Sequence, residues 1–128
     1  MSGKIFNLED RLVQFAGESI FFCKTLPNDA SGRYYSDQIL RSSGSAALNY
    51  GEAQGTVTSK DFIHKMSIVL KELKETKVAL KILNYAKIGE DKRRAYLQKA
   101  AEELAAISAR MILNKKRIKI TMKIKKCN

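Results

Sequence analysis

Proline is almost missing from this chain. Its 128 residues hold one, Pro27, with seven glycines and no tryptophan. An all-β domain of this size draws heavily on turn residues, so the composition argues against one. Cysteine is equally sparse. Cys23 and Cys127 stand far apart, and two thiols make no disulfide framework. Cys23 falls on a helical apolar stripe and is expected as a small buried hydrophobe; Cys127 is expected as a free, exposed thiol. Reduced cysteines suit a cytoplasmic protein. The single histidine, His64, has no Glu-x-x-His spacing and no Cys-x-x-Cys pair for company. Di-metal bundle sites and zinc sites need such sets. Next to Phe62 and Ile63, His64 reads as a surface or satisfied histidine, not a catalytic base. No catalytic residue, metal ligand, cofactor or small-molecule substrate is expected. Long apolar runs are lacking too. Ile20-Phe21-Phe22-Cys23 is typical of the longest, against ~20 residues for a membrane span, and no secretory leader is seen.

Acid is lacking in one region. From Arg110 onward the chain carries Arg110, Lys115, Lys116, Arg117, Lys119, Lys123, Lys125 and Lys126, with no Asp or Glu. Those eight cations make up most of the net charge of +11. The body is nearly balanced and the tail carries the field, which suits a polyanionic partner.

Apolar residues make up 45% of the chain, enough for one globular domain with a real core. Ala, Leu, Lys and Glu dominate the second half and favour helix. Ile5, Leu8, Leu12, Phe15, Ser19, Phe22 and Leu26 form a heptad-like seam, so a first helix is expected over about 5–26, ended by Pro27. Phe6, Val13 and Ile20 recur every seven residues on another side, with Phe21 in the polar arc. Two readings stay open: a wide core stripe with one stray Phe, or a contact surface for another subunit. A third helix, about 59–88, follows from Phe62, Met66, Val69, Leu73, Thr76, Leu80 and Leu83, with Lys71, Glu72, Lys74, Glu75 and Lys77 expected in solvent. A fourth, about 90–114, follows from Leu97, Ala101, Leu104, Ser108 and Met111; Lys92-Arg93-Arg94 is expected as its solvated first turn. From Arg117 to Lys125 the pattern alternates, placing Ile118, Ile120, Met122 and Ile124 on one face of a strand. Residues 115–128 are thus expected as an extended or disordered basic tail on a 1–114 bundle. Disorder, strand pairing between subunits and an arm that orders on a ligand all remain open.

The stretch from Gln38 to Gly55 has a loop's composition but a helix's spacing. Gly44, Leu48, Gly51 and Gly55 recur at steps of four, three and four; Gln38, Arg41, Ser45, Asn49 and Glu52 line another face. A second helix is expected over about 33–54. Each glycine costs about 1 kcal/mol relative to Ala, which close approach of a neighbouring helix would offset. No Gly-Lys-Ser/Thr follows and no strand precedes, so a phosphate loop is excluded. The polar face is either solvated or a partly buried network, with Arg41 and Glu52 paired through Asn49.

Gln38, Arg41, Ser45, Asn49 and Glu52, followed by Lys60-Asp61-Phe62, resemble a family motif. It belongs to the small four-helix-bundle proteins encoded in intervening sequences of bacterial 23S ribosomal RNA genes. The resemblance covers roughly residues 5–114 and leaves out the lysine-rich tail. Tyr50-Gly51 and Ala53 depart from the usual residues around Asn49 and Glu52. The resemblance implies an up-down-up-down antiparallel bundle, a ring-like homopentamer and no catalytic activity. It also implies a link to nucleic acid, because similar pentamers act beside a reverse transcriptase in diversity-generating retroelements. The function expected is a non-enzymatic oligomer that binds RNA or other nucleic acid through its basic surface and tail, with no membrane role. The alternative is a structural or adaptor oligomer that binds a protein.

Overall fold

A computed structural model describes residues 7–127. They form four helices: α1 (Leu8–Cys23), α2 (Ala30–Gln54), α3 (Ser59–Ala86) and α4 (Asp91–Cys127). No strand occurs among the described residues. Ile5 and Phe6 lie outside them.

Each helix begins on a side chain that takes up a free backbone N–H. The Asn7, Asp29 and Thr58 side chains accept from the amides of Asp10, Gly32 and Asp61. Glu90 accepts from Arg93 N. Such caps contribute about 1 kcal/mol each. The Gly32 amide also holds the Asp29 carboxyl below its usual range. Because Asp29 is the cap, α2 starts at Ala30, three residues before the expected boundary. Gly32 thus lies inside the first turn, where an added Cβ would strike the Pro27 carbonyl oxygen.

Pairs across the bundle run in opposite senses along the chain. Cys23 reaches Ser36 from α1 to α2, Ser42 meets Thr76 and Glu52 meets Lys65 between α2 and α3. Arg94 reaches Asn84, and Lys115 lies over Phe62, between α4 and α3. Arg11–Glu103 and Glu18–Arg93 close α1 onto α4. The seams meet inside: Leu12, Phe15 and Phe22, Ile39 and Ala46, Met66, Val69, Leu73 and Leu80, and Leu97, Ala101 and Leu104 are all sealed from solvent. Burying each large side chain stabilises the fold by roughly 1.5–3 kcal/mol before entropy is counted.

Two expectations fail at the ends of α4. Arg94 does not belong to a solvated turn. It is 3% exposed and donates to the Ile88 and Gly89 carbonyls, Asn84 and Asp91, which satisfies the chain as it leaves α3. The tail is neither extended nor disordered: α4 continues unbroken to Cys127. Nothing after Gly89 is Gly or Pro, so no residue stops the helix. An isolated strand would leave its ladder unpaired, whereas a helix satisfies its own backbone. Lys125 and Lys126 also suit the negative end of the helix dipole.

The α3–α4 corner depends on Gly89. Its φ is +91°, and an added Cβ would lie 2.7 Å from the Phe22 ring and 2.8 Å from Leu26. Gly89→Ala should therefore lower the unfolding free energy by about 1–3 kcal/mol, read as a lower urea midpoint. An unchanged midpoint would show that the corner yields without cost.

Candidate functional site

The motif face of α2 is built against α3. Arg41 donates to Gln38 (2.8 Å), Glu75 (3.1 Å) and Glu72 (3.4 Å). Ser45 donates to the other Glu72 oxygen at 3.1 Å, and Asn49 donates to both the Ser45 carbonyl and its hydroxyl. Deeper in the seam, the Ser42 and Thr76 hydroxyls meet at 2.6 Å, and Thr76 donates to Glu72 O. Glu52 pairs with Lys65.

The Arg41–Glu52 pair of the buried-network alternative is therefore absent. Eleven residues of helix separate the two by about 16 Å along the axis, too far for one intervening Asn49. Glu72, expected in solvent, is 7% exposed and is the acceptor that the sequence reading missed. The available signal was its position, four residues before the seam residue Thr76 and three after Val69. Arg41 is the main reason that the Glu75 carboxyl stays below its usual 4.5, and Glu75 in turn raises Arg41.

The small-residue face of α2 is not pressed against another helix of the chain. An added Cβ at Gly44 or Gly51 would meet nothing within 4 Å, and Leu48 is 71% exposed. Val13 (58%), Ile20 (47%) and Phe21 (50%) are exposed on α1; Phe6 lies outside the described residues. Val13, Gly17 and Ile20 share one face of α1, and Leu40, Gly44 and Leu48 form the matching outer ridge of α2. The charged residues in these spans turn away: Glu18 pairs with Arg93 on α4 and Arg41 pairs with α3. Phe21 sits to the side, its ring beneath Arg93 and Lys24 at 5.5 and 6.0 Å. Cys23 is buried, which pushes its thiol up to about 11.

The cationic residues form a third feature. Among the described side chains, the last buried one in α4 is Ile112, and every residue from Lys116 to Lys126 is exposed. Arg110 is exposed on the bundle, and Lys115 is held 4.8 Å from the centre of the Phe62 ring. Arg117, Lys119, Lys123, Lys125 and Lys126 stand on a helical rod that leaves the bundle at the end formed by the α2–α3 loop. His64 is exposed on α3. No helix among the described residues is long and apolar enough to cross a membrane.

A family model described as the 23S rRNA-intervening sequence protein matches residues 9–110. The chain belongs to that family. A crystal structure of a protein with unknown function, from the S23 ribosomal protein family of Bacteroides thetaiotaomicron, is 28% identical. It covers 83% of this chain and 98% of its own, with a TM-score of 0.76. A search of curated proteins found no match. The family match ends at Arg110, so the cationic rod lies beyond it.

Glu72→Gln should cost about 1.5–3 kcal/mol, because the buried acceptor loses its charge and one of its two accepting oxygens becomes an NH2 that faces a donor. Equal stability of the variant by urea denaturation would show that Ser45 and Arg41 satisfy the amide equally well. The pH dependence has a definite sign. The folded-state value of Glu75 is depressed, so its stabilisation is present above about pH 4.5 and is lost as pH falls through that lower value. Arg41→Ala should flatten the fall in urea midpoint over that acidic range.

Proposed function

We propose that this protein is a non-enzymatic, cytoplasmic homo-oligomer that binds nucleic acid, RNA first among them, through the cationic extension of α4. The observation that carries this reading is the rod itself. Seven cations from Lys115 to Lys126 stand with no acid among them on the stretch of α4 that buries almost nothing in its own chain. Phosphate neutralisation by such a segment gives affinity that falls steeply with salt. It carries little sequence information, because no aromatic side chain in the extension can stack on a base. Membership of a family named for ribosomal RNA intervening sequences supports the same direction.

The oligomer is inferred from the α1–α2 outer face. Val13, Ile20, Leu40 and Leu48 lie around Gly17 and Gly44, which let another backbone approach closely. A homopentamer is the state that the family resemblance implies, and this face is our assignment for its contact. The second reading, an adaptor for a protein partner, has one observation in its favour. A groove of about 680 Å³ between α2 and α3 is lined by Tyr34, Tyr35, Leu70, Val78 and Ile82, with Lys71 and Lys74 at its rim.

Two measurements test the proposal. Light scattering should show the mass of Val13→Asp/Ile20→Asp falling to that of one chain; retention of the parent mass would remove this face as the interface. In gel shifts with structured RNA at two salt concentrations, the full-length chain with all seven cations of 115–126 changed to Gln should lose binding. Equal retention by parent and variant would remove the role of the extension.

A further inference from the structure

The extension is not cationic all round. At 100° per residue, Lys115, Lys119, Lys123 and Lys126 fall in one narrow stripe, with Lys116 at its edge. Lys119, Met122, Lys123 and Lys126 surround one shallow hollow, which places three of them side by side. Lys60 from the start of α3 joins Lys116 and Lys119 around a second hollow beside Ile63 and Ile120. Arg117 and Lys125 stand on other sides of the helix, well away from the stripe.

This stripe continues the core seam of α4. Leu97, Ala101, Leu104, Ser108 and Ile112 occupy that direction inside the bundle, where all are buried. Lysines take over the same direction where the bundle ends. The face that meets protein along the body of α4 is therefore the face that carries charge beyond it. Lysines at i, i+4 and i+3 repel one another on a helix, and no acid of α4 after Glu103 relieves them. An array of this kind is relieved by an external row of anions.

We propose, on the basis of the nucleic-acid reading above, that this lysine stripe seats the phosphate backbone of a double helix. Three features favour a duplex over a single strand. The stripe runs about 16 Å along the α4 axis, the axial rise of about five base pairs of a duplex. Its groups are compact point charges, which suit phosphates, not the flat faces of unstacked bases. The extension has no Phe, Tyr, Trp or His to hold a splayed base. Ile118 and Met122 on one flank, and Ile120 and Ile124 on the other, border this row on both sides. RNA and DNA duplexes share this backbone chemistry.

The test compares two full-length variants with the same change in charge. Lys119→Glu/Lys123→Glu alters the stripe, and Arg117→Glu/Lys125→Glu alters the other sides. Each is titrated with a short blunt-ended RNA duplex of mixed sequence, the corresponding DNA duplex and one RNA single strand, over a range of salt. Circular dichroism checks that each variant keeps its helix content. The stripe variant should weaken duplex binding on the order of fiftyfold near 0.1 M salt and lower the salt slope by about 2. The other variant should stay within about threefold of the parent, given that its side chains face away from the phosphates. The tighter of the two duplexes identifies the source of the backbone. Equal losses in the two variants would overturn the stripe while leaving nucleic-acid binding intact. Tighter binding of the single strand than of either duplex would overturn the duplex. Unimpaired binding by the seven-glutamine chain would overturn the underlying reading and the stripe with it.

Discussion

The Glu72 carboxylate lies inside the α2–α3 seam, and the placement of both helices depends on its being paired. A buried carboxylate without partners costs several kcal/mol. Here one oxygen takes the Ser45 hydroxyl and the other takes Arg41. Those donors sit one turn apart on α2, so they meet Glu72 at one register only. A slip of α2 by a turn along α3 would leave the carboxylate unpaired and separate Ser42 from Thr76. Apolar seams alone tolerate such slips better, because one methyl resembles another. The family motif on α2 is therefore half of a register lock, and Glu72 and Thr76 are the other half.

The four helices were legible because their seams repeat at helical spacing over many turns. Leu8, Leu12, Phe15, Ser19 and Phe22, read from spacing alone, are all buried in α1. Thr76 was placed correctly in the α3 seam despite its hydroxyl. The polar partners were less legible. Glu72 lies among Lys71, Lys74 and Glu75 in sequence, and nothing local distinguishes it from its solvated neighbours. Only α2 packed beside it makes its direction an interior one. Arg94 was misread for the same reason. It is one of three consecutive cations, and its burial is set by the exposed carbonyls of a corner whose shape the sequence does not spell out.

The tail failed as a strand for a different reason. Alternation of Lys and Ile has period two, yet its members also fall four apart. Ile118 with Met122, and Ile120 with Ile124, align along a helix as readily as along a strand. Period alone could not choose between them. Continuity with α4 and the lack of any helix breaker decide the matter, because no strand among the described residues is available to complete a ladder.

That continuity has a mechanical consequence. A disordered basic tail would spread its charge through a wide volume and lose conformational entropy on every contact. A helix joined without a break to a packed bundle fixes the direction of its cations before any partner arrives. The Lys115–Phe62 contact holds the rod at its base, where α3 begins. In a cyclic homo-oligomer of the kind proposed, rotation about one axis sends every rod out at the same rim. The cations of all copies would then form one ring of charge instead of scattered tails. In that assembly the outer face of α1 and α2 and the rod of α4 would act on each other's terms: the first would set how many rods share a rim, and the second what that rim can hold.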